Sequence, residues 1–252
     1  MDRVIYTALT SLTARQRAQA VTANNLANTE TIGFRREIVA AEGRYLRGPA
    51  DLGAGSIARA QTGSPSLATP LLPGRTQTTG RPLDIALMGD AWLAIAAPPE
   101  GGTPREAYTR RGDLQVSATG QLVLGDGRVP LDTNGAPIQV PANGTLRVGA
   151  DGTLTALIEG QEQPVARLKL VAGGSKETGF DKGADGQFTT PEPLPADPSA
   201  RLAPGALELS NVSAAQGLVE LVEQSRAFEA GTRLMRTARE LDEAGTRLLR
   251  LE

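Results

Sequence analysis

The stretch Ala23–Arg36, ANNLANTETIGFRR, places three asparagines at the end of what otherwise looks like an N-terminal helix. Asparagine is a poor residue inside a helix because its amide competes for nearby backbone groups. Asn24 and Asn28 lie one turn apart on one helix face, and Asn25 lies beside them. Two explanations are open at this point. The amides cap a helix end, with Asn28 as the C-terminal cap, or they are buried between subunits.

The two residues that follow predict how the chain leaves this helix. Gly33 permits a backbone turn with positive φ, which side chains with a Cβ rarely adopt. Phe34 is expected to anchor the departing chain in an apolar environment. The quoted stretch therefore predicts a helix, a polar end, a turn and an anchor.

Composition excludes several classes of function. The chain has 252 residues, 40% of them hydrophobic, and a net charge of −2, which gives no electrostatic case for nucleic acid or an anionic membrane. It has no Cys and no His, which excludes thiolate or imidazole metal sites, disulfides and the commonest general base. No apolar run is long enough for a transmembrane helix, and the start has no apolar core of the signal-peptide type. We expect no metal, no cofactor and no membrane insertion.

Both ends of the chain carry helical periodicity. A narrow stripe with steps of three and four predicts a first helix from Asp2 to Ala27, interrupted by glutamines: Ile5, Leu9, Leu12, Gln16, Gln19, Ala23 and Leu26. A longer stripe predicts a second helix over residues 211–251, with Ser210 or Asn211 as its N-cap. Its last steps have heptad spacing, and the stripe is Val212, Ala215, Val219, Val222, Arg226, Ala230, Leu234, Thr237, Leu241, Ala244, Leu248 and Leu251.

Between the helices the pattern changes to that of β-structure. From Gly48 to Pro82, 19 of the 35 residues are Gly, Pro, Ser or Thr, which predicts an extended connector. Asx-Gly pairs then recur at intervals of eight or nine residues and predict hairpin turns: Asp126-Gly127, Asn134-Gly135, Asn143-Gly144 and Asp151-Gly152. The short segments QLVL, PIQV, TLRV and TLTALI between them predict antiparallel strands, and a solenoid is the less favoured alternative.

These patterns predict an α+β fold in three parts. An antiparallel β-rich domain covers residues 83–204, and the connector covers residues 47–82. Residues 1–46 and 205–252 form a terminal helical domain. Because neither helix has a wide apolar face, we expect the two to pair as a coiled-coil stalk that still leaves a seam exposed. An ordinary helical hairpin packed on the β-domain is the simpler alternative.

The two ends together resemble a known family. ANNLANTETIGFRR and ELSNVSAAQGLVELVEQSRAFEAGTRLM, residues 208–235, are similar to the terminal signatures of bacterial flagellar axial proteins of the rod and hook group. MDRVIYTAL at the start, GRPLDIALMGDAWLAI at residues 80–95 and LLRLE at the end resemble the proximal-rod members most, and the distal-rod members second. The motifs at the ends are specific, whereas the connector and the Gly/Pro-rich tract at 173–204 carry little of the resemblance.

The resemblance implies a structural subunit of the flagellar basal body that is not an enzyme. Such proteins leave the cytoplasm through the flagellar export apparatus with an uncleaved signal, and polymerise helically in the periplasm as part of the drive shaft and export channel. The implied partners are copies of the chain itself, other proximal- and distal-rod proteins, and the export apparatus. With this implication we favour the interface explanation of the asparagines. The residues expected at subunit interfaces are Leu9, Leu12, Asn24, Asn25, Leu26, Asn28, Gly33, Phe34, Asn211, Val212, Val219, Val222, Leu234, Leu241 and Leu248.

Two other classes of function are weaker alternatives. A cell-wall glycosidase would need paired carboxylates, which Asp84, Asp90, Glu106 and Asp113 could supply, although charged residues beside turns are usually solvated. A glycan-binding domain could use Trp92 as a stacking platform, but its apolar run favours a core position. The segment DKGADGQF from residue 181 lacks the full ligand set of a calcium loop.

Overall fold

The computed structural model describes residues 2–40, 43–46, 59–62, 66–100, 103–141, 144–173, 179–183 and 185–249. The chain divides into two compact units, each built from separate parts of the sequence. Unit 1 contains residues 1–27, 36–70 and 212–252, and unit 2 contains residues 28–35 and 71–211. The two helices and the antiparallel strands confirm the predicted α+β class.

Both terminal helices form in unit 1. Helix α1 spans Asp2–Ala27, as predicted, and helix α2 spans Ala214–Leu249. The predicted N-cap of α2 is wrong. Ser213 occupies that position and its hydroxyl accepts the N–H of Gln216, because Asn211 is held in the preceding extended segment. The predicted end at Leu251 lies outside the described residues.

The two helices run antiparallel and contact each other through small residues on α2. Leu12 packs where Gly231 has no side chain, since a Cβ on that glycine would lie 2.8 Å from Leu12 Cδ2. Leu26 lies over Gly217 in the same way, at 3.7 Å from the position of the missing Cβ. Fourteen residues separate the contacts on each helix, so the register is continuous.

Unit 1 also contains two short antiparallel strand pairs. The strands are β1 (Ile38–Ala40), β2 (Gly43–Leu46), β3 (Arg59–Thr62) and β4 (Ser66–Ala68), and the pairs are β1 with β4 and β2 with β3. Strands β3 and β4 lie within the predicted connector and pair with strands that precede it. These parts of the connector therefore belong to small sheets and are not an unpaired linker. Residues 47–58 and 63–65 of the connector lie outside the described residues.

Unit 2 is an assembly of small antiparallel sheets. Its described strands are β5 (Thr76–Thr78), β6 (Ile85–Leu87), β7 (Ala91–Glu100), β8 (Thr103–Thr109), β9 (Leu114–Val116), β10 (Leu122–Leu124), β11 (Thr145–Val148), β12 (Thr153–Ile158), β13 (Gln161–Arg167), β14 (Leu170–Ala172), β15 (Asp181–Lys182), β16 (Phe188–Thr189), β17 (Leu202–Pro204) and β18 (Ala206–Glu208). The largest sheet has the order β14-β7-β8-β16-β15, and a second has the order β11-β12-β13. Strand pairs β9–β10, β6–β17 and β5–β18 complete the unit.

The predicted turns form at three of the four Asx-Gly pairs. Gly127, Gly135 and Gly152 have φ between +79° and +86°, but Asp126, Asn134 and Asp151 do not have positive φ, so the chain turns there without the expected positive φ at both central residues. Gly144 has φ +137°, and its partner Asn143 lies outside the described residues. The predicted strand PIQV is wrong. Pro137 and Gln139 make only isolated bridges, because proline has no N–H to donate to a ladder.

The core of unit 2 is sealed by aliphatic side chains from most of its strands. Ile85, Leu93, Ile95 and Leu114 have no exposed surface, and a smaller aromatic cluster lies beside them. Trp92 is 2% exposed, which confirms its prediction as a core residue.

Candidate assembly site

Helix α2 has one face covered by α1. Along this face, residues with reduced exposure recur at alternating steps of four and three: Gly217, Leu221, Gln224, Phe228, Gly231 and Met235. Alternating steps of this kind produce a straight seam along a helix that packs on one partner. The seam is partly polar, because the Gln224 amide donates a hydrogen bond of 2.9 Å to the buried hydroxyl of Thr22.

The opposite face of α2 is open and carries four exposed apolar residues beside charged ones such as Arg226 and Arg233. Val219, Val222 and Leu234 are 58%, 51% and 61% exposed, and Leu218 beside them is 52% exposed. Val219 follows the seam residue Gly217 by two positions, which is a rotation of about 200° around the helix. The predicted stripe on α2 therefore lies on the side of α2 away from α1. We call Leu218, Val219, Val222 and Leu234 the open face.

The predicted interface residues of α1 fall into two groups. Leu12 and Leu26 contact the glycines of α2, whereas Leu9 is 50% exposed and Asn24 is exposed. On α2, Val212 is half-buried just before the helix begins. Leu241 and Leu248 belong to the helix, but their side chains lie outside the described part of the structure.

Asn25 and Asn28 make contacts within the chain. The Asn25 amide forms two hydrogen bonds with the backbone of Glu37, donating to its carbonyl at 2.7 Å and accepting from its N–H at 2.9 Å. This pair of bonds holds the first residues after the turn against the end of α1 within unit 1. In unit 2, the Asn28 side chain accepts a hydrogen bond of 3.0 Å from the Thr31 hydroxyl.

The turn after α1 follows the prediction made for its two central residues. Gly33 has φ +69°, which confirms the left-handed conformation, and a Cβ there would lie 2.5 Å from the backbone of Arg110 and Arg111. Phe34 is 8% exposed, and the Lys182 ammonium lies 4.0 Å from its ring centroid. Gly33 is therefore required both for its backbone conformation and for its close approach to another segment.

Asn211 belongs to the same part of unit 2. Its backbone N–H donates to the carbonyl of Phe34 at 3.3 Å, and its side-chain amide donates to the carbonyl of Leu72 at 2.9 Å. Predicted residues from the two ends of the sequence, Phe34 and Asn211, are thus directly bonded.

A buried carboxylate connects these segments. Glu208 in β18 is 2% exposed, and its two oxygens form ion pairs with Arg35 at 2.6 Å and Arg110 at 2.7 Å. It also accepts the N–H of Gly74 at 2.7 Å, and its backbone carbonyl accepts the N–H of Gly33 at 2.8 Å. We call Glu208, Arg35 and Arg110 the Glu208 cluster.

Arg110 is the fully bonded member of the Glu208 cluster. Besides Glu208, it donates to the carbonyls of Leu87, Gly89 and Ala91 at 2.6–2.7 Å. Burial lowers the pKa of its guanidinium below the usual value, and the adjacent Glu208 carboxylate offsets that effect in part. This cluster could not be found from local sequence, because charged residues beside turns are usually solvated.

The carboxylates considered for a glycosidase have other partners. Asp84 and Asp113 are buried, which corrects the expectation of solvated charges. The reason is pairing: Arg111 binds both oxygens of Asp113 at 2.6 and 2.7 Å, and Thr79 donates to Asp84 at 2.6 Å. The Lys169 ammonium donates to both oxygens of Glu106, at 2.7 and 2.8 Å.

The other candidate sites give no support to ligand binding. Trp92 is enclosed by Phe188 and Phe180, with ring centroids 4.7 and 4.9 Å away, so its faces are not open for stacking. Within the described residues, no group of three or more Asp or Glu side chains could hold a metal ion. None of the described helices has the length and apolarity needed to cross a membrane.

Three regions of the chain match sequence families. Residues 5–35 match the family described as flagella basal body rod protein, and residues 86–156 match the flagellar hook protein FlgE/F/G D1 domain. Residues 203–248 match the flagellar basal body rod FlgEFG protein C-terminal family. The matched regions include α1, the turn with Gly33 and Phe34, Glu208, and the open face.

Curated relatives are similar over nearly the whole chain. The chain is 36% identical over 259 residues to the flagellar basal-body rod protein FlgF of Salmonella typhimurium, with 99% of each chain covered. It is 38% identical over 239 residues to the protein of the same name in Escherichia coli, with 91% of each covered. The flagellar basal-body rod protein FlgG of Bacillus subtilis is 29% identical over 261 residues, which cover 96% of this chain and 97% of that protein.

Proposed function

Because this chain belongs to the FlgF-like flagellar basal-body rod proteins, we propose that it is a structural subunit that polymerises through its terminal helices. The observation that carries this proposal is the open face of α2, where Val219, Val222 and Leu234 are each more than half exposed. Leu218, Val219 and Val222 lie within five consecutive residues of the helix, and exposed apolar residues grouped in this way are typical of an interaction site. Copies of this chain and other rod proteins are the partners that cover it.

We propose that α1 and α2 form a two-helix coiled coil to which neighbouring subunits add their own helices. The antiparallel contacts of Leu12 with Gly231 and of Leu26 with Gly217 support the pairing within one subunit. Small residues at such contacts let two helices approach closely, which leaves the opposite face of α2 for a second helix layer. The helical subunits together then form the wall of the channel and transmit torque.

The proposal places the protein in the periplasmic part of the basal body, delivered by the flagellar export apparatus without a cleaved signal. The proximal rod is favoured over the distal rod because four FlgF relatives are 34–38% identical, whereas the FlgG relatives, and one more distant FlgF, are 29–30% identical. The division into a terminal helical domain, a connector and a β-domain stays a prediction. So does the part of Asn24, Asn25 and Asn28 in subunit contacts. No catalytic role is proposed.

The test is complementation of a bacterium that lacks its own FlgF. The unchanged chain should restore swimming, and the Val222→Asp variant should not, because a carboxylate on the open face cannot be desolvated cheaply between subunits. Secretion and incorporation into isolated basal bodies are measured separately, so that an export defect is recognised. A strain lacking FlgG serves to distinguish the two rod positions.

Val222→Ala is the matched control, since it shortens the same side chain without adding charge. We expect it to support swimming better than Val222→Asp. Normal swimming and normal incorporation of the Val222→Asp variant would show that the open face is not an assembly surface. Rescue of the FlgG-deficient strain alone would place the chain in the distal rod.

A further inference from the structure

Two positive charges are buried against one negative charge in unit 2. Arg35, Arg110 and Glu208 are 1%, 3% and 2% exposed. They come from three distant parts of the sequence: the segment after α1, the end of β8, and β18 near the C-terminus. Burying a second cation beside a single carboxylate is costly unless its geometry and its hydrogen bonds are good. The two arginines meet this condition unequally.

Arg110 is bonded as part of the fold, whereas Arg35 is only half satisfied. Arg110 donates to three backbone carbonyls in addition to Glu208. Arg35 has an ion pair of 2.6 Å with Glu208, but its Nε is buried without a hydrogen-bond partner in the described part of the chain. The Arg110–Glu208 pair is therefore complete without Arg35. Arg35 binds to this pair with fewer hydrogen bonds than Arg110 makes.

Residues 28–35 are held on this pair by β18, by Asn211 after it, and by Lys182 in β15, whose ammonium donates to the Arg35 carbonyl at 2.7 Å and lies over the Phe34 ring. Lys182 is itself positive, so it cannot replace Glu208 as the counter-ion of Arg35. The Glu208 carboxylate binds Arg35, the Glu208 carbonyl accepts the Gly33 N–H, and Asn211 donates to the Phe34 carbonyl. If β18 were absent, the Arg35 guanidinium would face that of Arg110 with no counter-ion between them. Repulsion between the two guanidinium groups, and the cost of desolvating Arg35 without a counter-ion, would then keep residues 28–35 from docking on the rest of unit 2.

We propose that Glu208 is the positioning residue for the segment 28–35, which closes onto unit 2 only after β18 has paired with β5. The part of unit 2 that comes first in the sequence is thus the last to dock. The consequence of this order rests on the proposed function. In a chain that is exported unfolded, residues 28–35 stay undocked until residue 208 has also been exported. The docking itself is a property of the single subunit and can be measured without assembly.

The experiment is hydrogen exchange, read by mass spectrometry, on the full-length purified protein. In Glu208→Gln, peptides covering residues 28–35 should exchange about tenfold faster or more, while β7 keeps its protection, because only local opening is affected. Arg35→Met should release the same peptides, and Arg35→Lys should restore part of the protection. Fluorescence of Trp92, the only tryptophan, should respond as well, since both guanidinium carbons lie within 6.0 Å of its ring centroid.

Glu106→Gln is the matched control, because it breaks a partly buried ion pair with Lys169 elsewhere in unit 2. It should leave exchange of residues 28–35 unchanged. If Glu208→Gln does not fold, Arg35→Met still provides the test, since it leaves the Arg110–Glu208 pair in place. Equal acceleration of residues 28–35 and β7 in Arg35→Met, or release of residues 28–35 by Glu106→Gln, would overturn the proposal. Unchanged exchange of residues 28–35 in Arg35→Met would also overturn the proposal, whether or not the variant supports swimming.

Discussion

The apolar side chains of helix α2 and those of strand β7 differ in how much of their surface is exposed. On β7, Leu93 and Ile95 have no exposed surface and Trp92 is 2% exposed. On α2, Val222 and Leu234 are 51% and 61% exposed, although both residues are as apolar as those of the strand. The strand is covered on both sides by its own chain, and the helix is covered on one side only.

The difference shows whether the apolar surface of each region is buried within one subunit or left for a partner. Unit 2 has short strands from many parts of the sequence, so its core closes within one subunit. The described part of unit 1 consists of two long helices and two small strand pairs, and within it one face of α2 is left open. The amount of apolar surface is decided by the sequence, but the partner that buries it differs between the two regions.

The largest expected effect on the isolated subunit is at the closed core. Leu93→Ala should lower the free energy of unfolding by about 2–5 kcal/mol, because it leaves a cavity at a site with no exposed surface. A guanidinium titration followed by Trp92 fluorescence measures this loss. Leu234→Ala, on the open face, should change neither this transition nor the loss of helical circular dichroism. An equal effect of both changes would remove the distinction between the two regions.

A smaller effect is expected where the N-terminal segment approaches the backbone of unit 2. Gly33→Ala should cost about 2–3 kcal/mol, because the residue has positive φ and its Cβ would meet the Arg110 backbone. Gly127→Ala is the control: this glycine also has positive φ, but a Cβ there has no heavy atom within 4 Å. The control should lose about 1 kcal/mol. Equal losses in urea titrations of the two variants would show that the close approach is unimportant.

The smallest effect concerns the asparagines at the end of α1. Asn25→Ala should destabilise unit 1 by about 1–2 kcal/mol, because it leaves the N–H and carbonyl of Glu37 without their partner. Asn24→Ala should cost less than Asn25→Ala, since Asn24 is the more exposed of the two and the higher helix propensity of alanine offsets part of the loss. Thermal melts followed at 222 nm distinguish the two. Destabilisation by Asn24→Ala alone would reverse the roles assigned to them.

Much of the fold could be predicted from local patterns. The limits of α1 and the positive φ of Gly127, Gly135 and Gly152 follow from periodicity and from turn chemistry that acts over a few residues. The strands β3 and β4 could not be predicted in the same way. They lie within the tract of residues 48–82 that is rich in Gly, Pro, Ser and Thr, and they pair with residues earlier in the chain.

The candidate site was also predicted only where its residues form a local pattern. Val219, Val222 and Leu234 form a pattern within one helix, so spacing alone places them on one face. The Glu208 cluster needs three residues far apart in the sequence, and nothing local distinguishes Glu208 from a solvated acid. The one available signal was that Ala206 and Leu207 precede it in an apolar segment. Such a signal is too short to identify a buried charge.

The most direct test of the open face uses the absence of cysteine from the natural chain. A single Val222→Cys substitution gives one thiol, whose reaction with a maleimide is compared in the free subunit and in isolated basal bodies. We expect rapid labelling of the free subunit, strong protection in basal bodies, and full labelling of the same particles after denaturation. Equal labelling in free and assembled protein would contradict the claim that neighbouring subunits cover this face.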